Sequence, residues 1–151
     1  MLLKARITDI DPIKSLLDIY VAQGIMLQRS KPEICEHLRD FSVYMDDSTN
    51  EILGVCALHI WWSDLGEIRS LAVRPECCHQ GIGTSLVVNG LDEAKRIGLS
   101  RIFTLTVAKR FFENLGFTEI DKQQLPQKIW SDCIKCPKFP DCDETALIKY
   151  L

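Results

Sequence analysis

No stretch of this sequence is long and apolar enough to cross a bilayer. A membrane helix needs roughly 20 apolar residues in a row. The longest apolar run, Ile52 to Trp62, is interrupted by Gly54 and His59. No secretory leader is expected either, because charge enters at Lys4 and Arg6 before any apolar region develops. Charge of one sign is scarce: the net charge of −3 gives nucleic acid or an acidic membrane no basic field to meet. Internal repeats, low-complexity tracts and linkers are absent too. The expectation is one cytoplasmic domain over residues 1–151, with neither a membrane nor a nucleic-acid partner. That length suits a single core.

An even set of cysteines is also lacking. The seven are Cys35, Cys56, Cys77, Cys78, Cys133, Cys136 and Cys142. An odd count without a leader argues against a secreted disulfide scaffold and for reduced thiols. Cys133, Cys136 and Cys142 form a C-x2-C-x5-C pattern, which falls short of the four protein ligands of structural zinc. The reading favours a proline-rich loop that packs small thiols, and no metal is expected.

The elements that are present follow hydrophobic period and punctuation. Leu3 to Ile7 suits a short strand. Thr8 with Asp11 three residues on reads as a helix start, Ile13, Leu17 and Tyr20 carry helical spacing, and Gly24 stops it. Pro32 to Arg39 suits a second helix with proline in its first turn. Phe41–Met45 and Glu51–Ile60 read as an antiparallel hairpin, and the apolar second strand belongs inside its sheet. After a loop at Ser63–Gly66 come a strand at Glu67–Val73, a helix at Gly81–Ile97 stopped by Gly98, and a strand at Arg101–Val107. A short helix at Lys109–Leu115, a strand from Phe117 to Ile120, a short helix at Leu125–Trp130 and a last strand at Thr145–Leu151 complete the chain. This is a mixed α/β sheet with helices on its faces.

The chemistry concentrates between Glu67 and Leu91. A strand ends near Val73, Pro75 marks a turn, and Gly81 and Gly83 open a helix. The first turn of a helix offers unpaired N–H groups and a positive dipole end, and glycines let a phosphate approach them. A kinase-type phosphate loop would need a lysine where Thr84 stands. A dinucleotide fingerprint would need a third glycine where Leu86 stands.

The remaining pattern, Cys78-His79-Gln80-Gly81-Ile82-Gly83, resembles the Gln/Arg-x-x-Gly-x-Gly/Ala motif of the GNAT superfamily of N-acetyltransferases, with Cys78 replacing the leading Gln/Arg. Phe111-Phe112-Glu113-Asn114-Leu115-Gly116-Phe117 is similar to that superfamily's Phe-Tyr-x-x-x-Gly-Phe signature. The likeness extends over nearly the whole chain. It implies a mostly antiparallel mixed sheet with splayed central parallel strands, and acetyl-CoA as cosubstrate. It assigns the cosubstrate to Leu71, Ala72, Val73, Cys78, His79, Gln80, Gly81, Ile82, Gly83, Thr84 and Phe112. Phe112 stands where the superfamily often has a tyrosine that protonates the leaving thiolate. Either another group serves here, or a thiolate near the pKa of free cysteine leaves unaided.

Three further segments narrow the resemblance: Gly24–Ser30, His59–Val73 and Leu125–Cys133 look like short, single-domain bacterial N-acetylglutamate synthases. The implied reaction is acetylation of the α-amine of L-glutamate in arginine biosynthesis, by direct transfer in a ternary complex. An added arginine-sensing kinase-like domain is not expected. A dicarboxylate acceptor wants cations, and Arg29, Arg69 and Lys128 are the candidates. Period 2 places Glu67, Arg69, Leu71 and Val73 on one face, unless a bulge breaks the parity. Glu67 is the candidate base, acting through water. A backbone N–H near Leu71 to Val73 is the implied oxyanion donor. Two other readings stay open: an acetyltransferase for another small amine or peptide N-terminus, and a non-catalytic acetyl-CoA sensor. Homodimerisation is an open expectation.

Overall fold

The computed structural model describes residues 1–130 and 143–151, with the side chain of Lys128 excepted. The strands are β1 (Leu2–Lys4), β2 (Phe41–Met45), β3 (Ile52–Trp62), β4 (Leu65–Val73), β5 (Arg101–Thr106), β6 (Thr118–Ile120) and β7 (Thr145–Tyr150). The helices are α1 (Ile10–Ala22), α2 (Lys31–Glu36), α3 (Ile82–Ile97) and α4 (Lys109–Glu113). The strands form one sheet in the order β1-β2-β3-β4-β5-β7-β6. Every neighbouring pair is antiparallel except β4 and β5.

The expected order of elements is the observed one, and the differences are local. β1 stops at Lys4, and a 3-10 turn over Ile7–Asp9 replaces its expected end. Thr8 does not cap the first helix. The buried Asp9 carboxylate instead accepts the Arg6 N–H at 2.8 Å, and α1 begins at Ile10. α2 ends at Glu36 rather than running to Arg39, and a second 3-10 turn, Leu38–Asp40, carries the chain into β2. Ser30 and Glu33 box its start, as their hydroxyl–backbone bond requires. Leu65 and Gly66 belong to β4 and not to a loop, because they pair with Arg101 and Ile102. Within the expected helix over Leu125–Trp130, Gln127–Ile129 form a 3-10 turn and Trp130 is helical.

Helices cover both faces. α1 and α2 bury Ile13, Leu17 and Ile34 against Val43, Val55 and Ala57 on one side. α3 lays Leu86, Val87, Leu91 and Ala94 on Ile68, Ile102 and Leu147 on the other. The approach of α3 is close. A Cβ on Gly54 would stand 2.9 Å from both Ile82 and Leu86, so β3 has no room there for a side chain. Among the described residues, no helix is long and apolar enough to cross a membrane.

Two irregularities open the sheet where the chemistry was expected. Ala57 pairs with Arg69 but Val55 pairs with Ala72, so β4 carries an extra residue at Ser70–Leu71. Ser70 takes φ +54° to make this bulge. The bulge reverses parity: Glu67 and Arg69 face the α1 side, while Leu71 and Val73 pack into the α3 side. The parallel ladder between β4 and β5 also ends early, at Glu67↔Phe103. Beyond it the strands part, and the first carbonyl left over, that of Ile68, accepts the Thr104 hydroxyl at 2.9 Å.

Candidate active site

The parting of β4 and β5 makes a cleft of about 350 Å³. Its wall includes β4 from Glu67 to Val73, β5 from Thr104 to Thr106, Gly83 at the start of α3, and Phe111 and Phe112 of α4. Tyr20 at the end of α1 and the segment Ile25–Arg29 close it on the far side. The unpaired β4 edge offers extended backbone to a ligand carrying amides, the geometry by which a peptide-like arm joins a sheet. Phe112 is buried, with edge-to-face contacts to Phe111 and Phe117 at ring separations of 5.0 and 5.3 Å.

At one end of the cleft, Gly81 caps α3 with φ +84°, and His79 just before it takes φ +66°. The helical ladder starts with the Ser85 N–H on the Gly81 carbonyl at 3.0 Å. The N–H groups of Ile82, Gly83 and Thr84 precede that bond and gather at the positive end of a 16-residue helix. Successive left-handed and helical residues of this kind make a concave anion cradle. A Cβ on Gly83 would lie 3.5 Å from the Phe111 ring, so the turn runs tight against α4.

The sequence-derived residues divide on this geometry. Arg29, Glu67, Arg69, Leu71, Ala72, Val73, Cys78, Gly83 and Phe112 line the one cleft. His79, Gln80, Gly81 and Thr84 are exposed at its mouth, outside the cleft wall. The Ile82 side chain is buried in the core under α3, which leaves its backbone N–H for a ligand. The side chain of Lys128 lies outside the described residues, as do Cys133, Cys136 and Cys142.

The polar centre sits on the α1 side of β4. Glu67 is only 7% exposed. Its Oε1 accepts the Trp61 indole N–H at 2.9 Å and stands 3.8 Å from the Arg69 guanidinium. Arg69 also lies over the Trp61 ring, 5.9 Å from its centroid. Arg29 reaches Glu33 at 3.6 Å while lining the same cleft. Two carboxylates, Glu67 and Glu144, and two guanidinium groups, Arg29 and Arg69, therefore line the same cleft. A carboxylate can take a proton, and the guanidiniums can hold an anion.

Two side chains at the site, Trp61 behind the cleft wall and Tyr20 in it, escaped sequence reasoning. Trp61 holds Glu67 from β3, two residues beyond His59, which pairs with Glu67 across the β3–β4 hairpin, a register visible only in the structure. Tyr20 donates its hydroxyl to the Val73 carbonyl at the end of β4 and lies 3.9 Å from the Cys78 sulfur. Burial, then the Cys78 contact, pushes its pKa up to about 12, so the phenol stays protonated. Cys78 places its thiol 3.6 Å from the Arg74 carbonyl.

The acetyltransferase (GNAT) family model matches residues 13–117. An uncharacterized N-acetyltransferase of Chlorobaculum tepidum is 42% identical over 97% of this chain and 94% of its own length. An amino-acid acetyltransferase of Mycobacterium tuberculosis is 36% identical over 85% of this chain and 74% of that protein. Among solved structures, N-acetylglutamate synthase of Neisseria gonorrhoeae, complexed with coenzyme A and N-acetyl-glutamate, superposes with a TM-score of 0.90 at 29% identity. That match covers all of this chain but 35% of the larger protein.

Proposed function

The chain belongs to the GNAT acetyltransferase family, and we propose that it transfers the acetyl group of acetyl-CoA to the α-amine of an amino acid, L-glutamate foremost. The observation that carries this reading is the meeting of Arg29, Arg69 and Glu67 in one cleft. A cationic acceptor such as a polyamine would meet the two guanidinium groups beside the Glu67 and Glu144 carboxylates. A dicarboxylate finds a partner for each anionic end.

In this reading the thioester arm lies along the open edge of β4 from Leu71 to Val73, and the pyrophosphate rests on the N–H groups that open α3. Cys78, His79, Gln80 and Thr84 flank that cradle. Arg29 and Arg69, with Lys128 as a third cation, bind the acceptor's carboxylates. Glu67 removes a proton from the ammonium through water, and the neutral amine attacks the thioester carbonyl. A backbone N–H of the bulged β4 segment stabilises the oxyanion. The intermediate's nitrogen gives its second proton to solvent, and the thiolate departs, taking a proton from solvent; Phe112 carries no acidic group. No covalent enzyme intermediate is needed. The coenzyme A complex of the gonococcal relative supports the cosubstrate, and its N-acetyl-glutamate supports the acceptor class.

The test is thiol release from acetyl-CoA across a panel of amino acids, polyamines and peptides. Glutamate is expected to give the highest kcat/KM. Faster release with polyamines or peptides would overturn the acceptor assignment. Acetyl-CoA binding with no turnover for any acceptor would replace an enzyme by a sensor.

A further inference from the structure

Glu67 must return its proton to solvent in every turnover, yet it is only 7% exposed. The residue directly opposite it across the β3–β4 ladder is His59. Such partners point to the same face, with Cβ atoms about 5 Å apart. His59 Nδ1 lies 2.7 Å from Asp40 Oδ2. At that distance the ring N–H donates to the carboxylate, which leaves the imidazole lone pair on Nε2. His59 is 18% exposed and Asp40 21%, while His37, whose Nδ1 is 3.8 Å from the same Asp40 oxygen, is 41% exposed. The groups around His59 thus run outward, from Glu67 and Arg69 on β4 to Asp40 and then His37 at the surface. The Trp61 ring packs edge-on against the His59 ring at 4.9 Å and ties the pair to the Glu67 carboxylate.

We infer that Asp40 and His59 form a positioning and proton-releasing pair behind Glu67, an inference that rests on Glu67 being the base. The proton taken from the acceptor ammonium passes from the Glu67 carboxyl through water to Nε2 of His59. Asp40 stabilises the imidazolium formed, and the Nε2 proton then leaves to solvent, which returns both groups to their starting state. His37, Asp40 and His59 also offer three metal-type donor atoms. Ligands bound to one zinc ion at about 2.0–2.1 Å stand roughly 3.4 Å apart. The two separations to the Asp40 oxygen are 2.7 Å from His59 and 3.8 Å from His37, and the tighter one is a hydrogen-bond distance, so the observations favour the proton relay.

The experiment compares wild type with His59→Gln, Asp40→Asn and Glu67→Gln, each checked for folding by circular dichroism. His59→Gln keeps a neutral donor toward Asp40 but cannot carry a proton. Its kcat is expected to fall at least tenfold, with the KM for acetyl-CoA within twofold. Its rate should climb with the concentration of a small buffer base at fixed pH, a response absent in wild type. Asp40→Asn should show the same buffer response more weakly. Unchanged kcat in His59→Gln, or a loss that buffer base does not restore, overturns the relay. Loss of wild-type activity on chelation, restored by zinc ion, also overturns it in favour of a metal site. Glu67→Gln separates the two levels: if it retains the wild-type rate, the base assignment itself fails. If it is inactive while His59→Gln is normal, the relay alone fails.

Discussion

Arg69 and Glu67 share one face of β4 at 3.8 Å, and the proposed function gives the cation a second job, toward the acceptor. Arg69→Ala should raise the acceptor KM by about 10- to 100-fold, the worth of one charge-assisted hydrogen bond. The KM for acetyl-CoA should stay within twofold. Equal rises in both would count against an acceptor role. Trp61→Phe keeps the ring and deletes the N–H held by a buried carboxylate. Leaving that oxygen short of a donor should cost about 1–3 kcal/mol, read by urea denaturation; unchanged stability would contradict the bond's importance. Cys56 is buried, and burial pushes its thiol pKa up to about 12. Native alkylation resolved by peptide mass should therefore label the exposed Cys35 and spare Cys56. Labelling of Cys56 as fast as Cys35 would argue that β3 opens readily. At this scale the sequence revealed charge and spacing but not partners. Arg69 and Glu67 were legible because they lie two apart on one strand. Trp61 and His59 were not singled out, because their roles depend on cross-strand register.

The β4–bulge–α3 unit is where local sequence says most about function. The end of β4, the turn at Pro75 and the glycine-opened helix were all readable from punctuation. The position of the bulge was not, since no glycine marks it and Ser70 itself takes the left-handed conformation. The early end of the parallel ladder was equally hidden in the local sequence: β5 runs on past Phe103 paired with β7, while its pairing to β4 stops there. The start of α1 misled for a physical reason: Asp9 is buried and its carboxylate turns back to accept the Arg6 N–H of the preceding 3-10 turn, so α1 begins at Ile10 with no side-chain cap. Gly81→Asp and Gly83→Asp each place a carboxylate in the proposed anion cradle, so calorimetric titration should show acetyl-CoA affinity reduced at least 100-fold. Unchanged affinity would remove the cosubstrate from this turn. Gly54→Val should destabilise the fold by about 1–3 kcal/mol, since its side chain would overlap Ile82 and Leu86. A thermal melt unchanged from wild type would show that α3 can shift without cost.

The described fold is a sheet opened at its centre, with the glycine-opened start of α3 at one end of the opening and Glu67, Arg69 and Arg29 lining it. Element order and fold class were readable because each strand and helix carries its own period and stop signals. The cleft itself is a tertiary product of one bulge and one parted ladder. The measurement that tests the account most directly uses acetyl-CoA labelled with carbon-13 in the acetyl group, with L-glutamate as acceptor, followed by NMR and protein mass. The predicted result is label on the α-nitrogen of glutamate, one coenzyme A released per product, and no acetylated protein when glutamate is left out. Label retained on the chain, or none transferred to glutamate at saturating acceptor, would contradict it.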